Sequence, residues 1–285
     1  MSDSGTTPFP GSSGDSISST PVQGSFDTSI AHPARVYDYW LGGKDNFAAD
    51  RTAGDQVIEA NPNVLPGVRA NRAFLRRAVR YLAAEAGIRQ FLDLGTGLPT
   101  APNTHEVAQS IAPDSRIVYV DNDPIVLVHA KALLTSTPEG ATSYIQADIR
   151  DPATILSEAA GLLDFTRPVA VTALMTLQYI PDSDNPHGVI SEVMAALSPG
   201  SYLTISDLTR DIDTDRVSGA TDRLNARMGP TSLTLRPRDA IAAYFAGFDF
   251  VDPGLVALTD WRPEEKLPEG VVVPALAGMA RKPGV

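Results

Sequence analysis

Short apolar runs alternate with amphipathic segments along the chain, and this alternation predicts strands separated by helices. Helical spacing of apolar residues also extends over residues 69–86, ahead of the first strand. Strands are predicted over seven runs: 91–94, 117–120, 142–147, 169–175, 202–205, 250–258 and 275–279. The pattern therefore predicts an α/β fold, a doubly wound and mostly parallel seven-stranded sheet with an N-terminal helical extension.

The first part of the chain has a different composition. Residues 1–28 are rich in Ser, Gly, Thr and Pro and hold few large apolar side chains, which predicts a disordered tail. Residues 29–87 are predicted to form a helical arm, and residues 88–285 the main domain. Two interpretations of the arm remain open. It packs on the core alone, or it also covers a ligand through Tyr37, Lys44 and Asn46.

A loop with two glycines follows the first predicted strand. Asp93, Gly95 and Gly97 match the start of the glycine-rich loop that approaches a nucleotide in doubly wound folds. Pro99 stands where a G-x-G-x-G loop has its last glycine, and Thr100 stands where a dinucleotide fingerprint has its third. The loop alone therefore does not predict that the protein binds a dinucleotide.

The helix after this loop is predicted to begin late. Asn103 and Glu106 have the spacing of a capping box, so the first helical turn lies beyond both prolines of the loop. A helix N-terminus in that position is poorly placed to bind a pyrophosphate. The loop is therefore expected to bind a nucleoside without phosphates rather than a nicotinamide dinucleotide.

Two acids are expected to bind that nucleoside. Asp123 precedes a proline and is predicted to cap the next helix, which leaves Asp121 to accept hydrogen bonds from both ribose hydroxyls. Asp148 ends the third strand and is expected to accept from the amino group of adenine, with Asn122 and Ile149 lining the ring. For both acids the alternative interpretation is a solvated turn residue.

Composition narrows the range of partners. The 285 residues include no cysteine and four histidines without metal-ligand spacing, so no metal is expected. A formal charge of -11 disfavours binding to nucleic acid or to an anionic membrane, so a small-molecule substrate is expected. No apolar run could span a membrane and no Lys or Arg occurs before Arg35, which predicts a cytoplasmic protein. The helix predicted over residues 69–86 carries a row of arginines that is expected to be a solvated, salt-bridged face rather than an anion site. They are Arg69, Arg72, Arg76 and Arg80.

The loop and the two acids resemble class I S-adenosylmethionine (SAM)-dependent methyltransferases. Residues 91–97 look like their first motif, and the acids look like their ribose and adenine acids. Residues 177–182, 197–200 and 246–248 are similar to the strand-four segment, the L-x-P-G turn and the late A-G-F of small-molecule members. The resemblance implies that SAM is the cofactor. The loop residues implied to bind it are Asp93, Gly95, Thr96 and Gly97.

A bacterial family resembles the chain more closely. It was first described as a domain of unknown function and later assigned to the SAM-dependent methyltransferases. The likeness extends over about residues 29–282 and is carried by residues 32–39, 45–47, 70–75 and 121–124. It implies a transferase whose acceptor is not settled. The absence of an Asn/Asp-Pro-Pro-Tyr motif argues against nucleobase amines as acceptors.

No residue is predicted to catalyse the transfer. Tyr179 and His187 are within reach of the ligand edge by sequence position and are considered as bases that take a proton from the acceptor. The alternative function is a SAM-binding protein without transferase activity, acting as a sensor or interaction module. A nicotinamide-dependent oxidoreductase is a second alternative, which Thr100 and the late helix disfavour. The sequence predicts no oligomeric state.

Overall fold

The computed structural model describes residues 27–133 and 135–284. Most of the predicted tail, residues 1–26, lies outside the described part of the chain. The described residues form one central sheet with apolar layers on both of its faces. Its strands are β1 Gln90–Leu94, β2 Arg116–Asp121, β3 Ala141–Gln146, β4 Ala170–Leu174, β5 Tyr202–Leu208, β6 Asp249–Phe250, β7 Val256–Ala257 and β8 Ala275–Arg281.

The strands are hydrogen-bonded in the order β3-β2-β1-β4-β5-β8-β6, with β7 also paired to β8. The strands β1 to β5 are parallel, and β8 runs antiparallel to β5, β6 and β7. The predicted mostly parallel, doubly wound sheet is therefore confirmed. Within the described residues the sheet has eight strands rather than seven, because the predicted run 250–258 forms two short strands. Pro253 lacks an amide hydrogen and Gly254 has a φ of +85°, so the strand hydrogen bonding is interrupted between β6 and β7.

The helices flank the sheet and precede it. The longest helix of the described residues is α3, Val64–Arg80, which a π-helical turn extends over Tyr81–Glu85. The helix predicted over 69–86 is therefore confirmed with an earlier start. In α4, Thr104–Ile111, the predicted capping box forms, with the Asn103 amide donating to the Glu106 carboxylate. The helices are α1 Pro33–Trp40, α2 Ala48–Ala60, α3 Val64–Arg80, α4 Thr104–Ile111, α5 Pro124–Leu133, α6 Pro152–Ala159, α7 Pro186–Ala195, α8 Thr214–Asn225 and α9 Arg238–Ala243.

Two apolar layers bury the sheet because successive strand residues point to opposite faces. Phe91 of β1 belongs to the layer that contains Phe74 of α3, and the next residue, Leu92, belongs to the layer that contains Ile155 of α6 and Ile190 of α7. Burial on both faces fixes the register of the strands. It thereby fixes where each strand ends at the edge that carries the predicted site.

A third apolar cluster joins the N-terminal arm to the rest of the chain. Val36 and Trp40 of α1 pack with Val57 of α2 and with Ala220 and Leu224 of α8. The arm and α8 together therefore form a cover beside the sheet. No helix in the described ranges is long and apolar enough to cross a membrane.

Candidate functional site

A cavity of about 380 Å³ opens at the carboxyl ends of the parallel strands. Ligands bind at this edge in doubly wound sheets. Tyr37 and all the residues predicted from the glycine loop and the two acids line the cavity, whereas Lys44 and Asn46 do not. The predicted residues in its wall are Tyr37, Asp93, Gly95, Thr96, Gly97, Asp121, Asn122, Asp148 and Ile149.

The glycines of the loop after β1 are required for different reasons. Gly95 and Gly97 have φ values of +70° and +66°, a region that favours glycine. A Cβ at Gly95 would lie 2.2 Å from Cγ2 of Thr176, so packing against the end of β4 also excludes a side chain there. At Gly97 the nearest atom to such a Cβ is the Ala34 Cβ, 4.0 Å away, so its backbone conformation is the constraint.

Asp93 lies beneath the loop, 7% exposed. Its Oδ2 accepts a hydrogen bond from Thr104 Oγ1 at 2.7 Å and its Oδ1 accepts one from Thr172 Oγ1 at 2.8 Å. Burial raises the pKa of this carboxyl, while the threonine hydroxyls act in the opposite direction. Asp93 thereby connects β1 to the start of α4 and to β4, and it forms part of the cavity wall.

The Asp121 carboxylate binds backbone amides of two loops at the cavity and keeps acceptor positions for a ligand. Its Oδ2 accepts from the Gly97 amide at 2.7 Å and its Oδ1 from the Asp123 amide at 3.0 Å. Because each carboxylate oxygen can accept two hydrogen bonds, one position remains on each. Burial raises the pKa of Asp121. The predicted capping role of Asp123 is confirmed, since its Oδ1 accepts from the Ile125 amide at 2.9 Å in the first turn of α5.

Asp148, at the next strand, is paired with an arginine that sequence reasoning missed. Its Oδ1 accepts from the backbone amide and from Nε of Arg150, both at 2.9 Å, and its Oδ2 accepts from a terminal nitrogen at 2.5 Å. Arg150 also donates to Asp184 at 2.8 Å. Hydrogen bonds from Arg150 lower the pKa of Asp148. One acceptor position, on Oδ2, remains toward a ligand.

The arm reaches the cavity through α1 and the residue before it, since His32 and Tyr37 are lining residues. Asp50, which is fully buried, fixes this segment by accepting from the His32 amide at 2.9 Å, from Arg35 Nε at 3.1 Å and from the Phe47 amide at 2.8 Å. His32 Nδ1 lies 3.2 Å from Oδ2 of Asp123. The arm is therefore anchored both to α2 and to the turn that precedes α5.

Other predicted residues lie away from the cavity. Lys44 is exposed, and Asn46 donates to Asp38 Oδ2 at 2.8 Å and to the Gly43 carbonyl at 3.0 Å, which closes the loop after α1. Their contact with a cofactor stays a prediction that this geometry does not favour. His187 stacks on Tyr244 with ring centroids 4.1 Å apart and does not line the cavity, whereas Tyr179 does.

Residues 230–232 and Arg72 also line the cavity, although sequence reasoning did not assign them to the site. Arg72 belongs to the arginine face that was predicted to be solvated. Arg76 and Arg80 of that face do pair with Glu264, but Arg72 turns to the glycine loop and donates to the carbonyls of residues 100 and 102. Periodicity places these arginines on one helix face but does not show which one meets the loop.

The family profile of the S-adenosyl methyltransferases matches residues 19–283. The chain belongs to this family. A DUF574 family protein from Streptomyces avermitilis is 44% identical, with a TM-score of 0.87, over 90% of this chain and 99% of that one. A candidate methyltransferase from Thermobifida fusca is 40% identical, with a TM-score of 0.83, over 94% of this chain and 100% of that one. No curated protein matches the chain.

A structure with much lower sequence identity shares the fold of this chain. The plantazolicin methyltransferase BamL, solved with a triazolic desmethylPZN analog and SAH, is 13% identical with a TM-score of 0.51, over 88% of this chain and 96% of that one. The family match confirms the predicted family and SAM as its cofactor. The structural likeness confirms the predicted class I fold. The chemistry of the cavity fits SAM, because Asp121 keeps two acceptor positions for a vicinal diol.

Proposed function

We propose that this family member transfers the methyl group of SAM to a small, neutral acceptor. The observation that carries the proposal is the pair of partly satisfied carboxylates at adjacent strand ends. Asp121 offers two acceptor positions and Asp148 offers one, and both belong to the same cavity. A nucleoside presents the matching donors, two ribose hydroxyls and one adenine amino group.

In this proposal the adenine lies between Asn122 and Ile149, and the ribose lies at Asp121. The glycine loop then borders the methionine part. When bound, SAM supplies a methyl group activated by a sulfonium, so the protein has little covalent chemistry to perform. The residues of the chain bind, orient the two reactants and exclude water. The arm contributes Tyr37 to the wall through α1.

A second cavity, of about 80 Å³, supports a small and neutral acceptor. Its wall shares Tyr37, Asn71, Met175 and Tyr179 with the larger cavity, so the two adjoin. The lining contributed by the described residues contains no charged side chain, which disfavours a charged acceptor group because burial of an unpaired charge is costly. The net charge of -11 further supports a small molecule over a nucleic acid.

Tyr179 is proposed to orient the acceptor rather than to take its proton. Burial raises the pKa of Tyr179 to about 12, so the phenol keeps its proton at neutral pH. A protonated phenol can donate a hydrogen bond to the acceptor atom or to the cofactor. His187, the other base considered from the sequence, lies outside the cavity wall.

The cofactor half of the proposal is tested by calorimetry and melting curves with SAM, S-adenosylhomocysteine and NAD. We expect both adenosyl ligands to bind and to add about 2.7 kcal/mol to the free energy of unfolding at a hundredfold excess over their dissociation constants. NAD should leave the melting curve unchanged, because the late helix α4 offers no pyrophosphate site. An equal shift from NAD would contradict the assignment.

The transfer half is tested by incubating the protein with SAM labelled in its methyl group and a panel of neutral and charged small molecules. We expect label in a neutral hydroxyl- or amine-bearing compound, with the charged analogues unlabelled. If SAM binds tightly and no compound accepts the label, the result favours a sensor or interaction module over a transferase. Preferential labelling of charged compounds would contradict the proposed acceptor class.

A further inference from the structure

Arg72 is a cationic side chain in the cavity wall without an ion-pair partner in the described ranges. One terminal nitrogen donates to the carbonyls of Thr100 and Pro102, the latter at 2.6 Å. The other arginine of the wall, Arg150, is paired with two carboxylates, and His32 lies beside Asp123. Among the described residues of the wall, Arg72 is therefore a cation with no carboxylate in salt-bridge contact, although its charge acts on the buried Asp93.

The strand order places three polar groups in sequence along the cavity. Asp148 follows β3, Asp121 ends β2, and Arg72 contacts the loop that follows β1. These strands are consecutive neighbours in the sheet, in the order β3-β2-β1. A nucleoside with its adenine at Asp148 and its ribose at Asp121 therefore directs its remaining substituent toward Arg72. In SAM that substituent ends in an amino group and a carboxylate.

We propose that Arg72 binds the carboxylate of the methionine part of SAM, an inference that rests on the cofactor orientation given above. The guanidinium has five N–H donors, and its contacts with Thr100 and Pro102 use one nitrogen. The donors on the other nitrogens remain for the carboxylate, whose planar geometry they match. The contacts with the loop fix the side chain beforehand, which lowers the entropy cost of binding.

The composition of the glycine loop makes such a cation useful. Pro99 stands where related loops have a glycine, and a proline has no backbone N–H to donate to an anion. A side chain must then supply the donors. Lys44, the cation that the sequence placed among the arm residues that cover a ligand, is exposed and lies outside the cavity wall, whereas Arg72 lies within it.

The test compares SAM with decarboxylated SAM, which lacks only the carboxylate. Calorimetry gives both dissociation constants for the wild-type protein, Arg72→Met and the matched variant Arg76→Met. The wild type should bind SAM about 10-fold to 100-fold more tightly than its decarboxylated form, the range of a charged hydrogen bond. In Arg72→Met this ratio should fall toward 1. Arg76 lies one turn along the same helix and pairs with Glu264, so its replacement should leave the ratio unchanged.

The ratio separates carboxylate binding from support of the loop. Loss of the hydrogen bonds to Thr100 and Pro102 should weaken the binding of both ligands by the same factor, and this factor cancels in the ratio of their dissociation constants. Arg72→Lys, which keeps the charge but not the planar fork, should show an intermediate ratio. Any of three results would overturn the inference. The ratio is near 1 in the wild type, it stays high in Arg72→Met, or it falls toward 1 in Lys44→Met. If the wild type binds neither ligand, the proposed function itself fails, which is a different result.

Discussion

At the scale of single residues, the site depends on carboxylates that differ in how many of their acceptor positions the chain itself fills. Asp148 accepts three hydrogen bonds from Arg150 and keeps one position for a ligand. Asp121 receives two backbone amides and keeps two positions free. Both groups lie at strand ends in the same cavity, and the difference comes from their neighbours rather than from their own chemistry.

Asp121 and Asp123 are expected to separate cofactor affinity from stability. Asp121→Asn should weaken SAM binding at least about 10-fold, because it replaces a charged acceptor of the ribose hydroxyls by an amide. Asp123→Ala should cost about 0.5 to 2 kcal/mol of stability through loss of the cap on α5. Calorimetry and denaturant unfolding on both variants check this division. The opposite ranking in SAM affinity would show that Asp123 is the main ligand.

The residues that sequence reasoning could not assign are those whose role depends on distant contacts. The positive φ of Gly95 is a local property, but the close approach of Thr176 to it joins positions 81 residues apart along the chain. In the same way, Arg72 differs from Arg76 only in what lies opposite it in the folded structure. Residue type and spacing were enough to place Asp121 and Asp148 at the cavity, because each stands at or just after the end of a predicted strand.

At the scale of elements, the alternation of apolar and amphipathic runs is enough to predict the parallel strands and the helices between them. The buried strands β1 and β4 are mostly apolar, and the predicted caps Asn103 and Asp123 precede α4 and α5. The arm was harder to place. Its amphipathic helix was predictable, but which end of it meets the cavity depends on Asp50, which belongs to α2 and binds groups from three positions.

Asp50 is expected to hold the arm over the cavity. Asp50→Ala should lower the free energy of unfolding by about 3 to 5 kcal/mol, because the buried Arg35 loses its hydrogen-bonded carboxylate and keeps only the contact with Asp123 at 4.0 Å. It should also weaken SAM binding, since His32 and Tyr37 of the cavity wall depend on the position of α1. Denaturant unfolding and calorimetry measure the two effects.

The matched control for this variant is Asp55→Ala on the same helix. Asp55 is exposed and accepts a hydrogen bond from Tyr39 at 2.7 Å, so its loss should cost about 1 kcal/mol or less and leave SAM affinity unchanged. If Asp50→Ala behaved like Asp55→Ala, the buried ion pair would not be what positions the arm.

At the scale of the whole molecule, a buried charged pair links the far side of the site to the core of the sheet. Asp207 of β5 is fully buried, and Arg236 is 1% exposed with a terminal nitrogen 3.8 Å from the Asp207 carboxylate. Arg236 also donates to the carbonyls of Leu177 and Ile180, in the segment that carries Tyr179. Burial raises the pKa of Asp207 to about 7, although the positive charge of Arg236 opposes this shift.

This raised pKa predicts a pH dependence of stability with a definite sign. The folded state holds the proton of Asp207 up to pH of about 7, whereas the unfolded chain releases it near pH 3.9. The contribution of this group is therefore fully present at lower pH and is lost as the pH rises toward 7. Asp207→Asn removes the titration, so the stability of the variant relative to wild type should rise by about 1 to 3 kcal/mol between pH 5 and pH 8.

Denaturant unfolding at these two pH values, with Asp249→Asn as the control, tests this prediction. Asp249 is an exposed residue of β6, so this variant controls for the replacement of a carboxylate by an amide at the surface. The comparison isolates Asp207, because the other buried carboxyls titrate equally in wild type and variant and cancel. A difference for Asp207→Asn that stays constant from pH 5 to pH 8 would show that Asp207 is ionised throughout the range, in a permanent ion pair with Arg236.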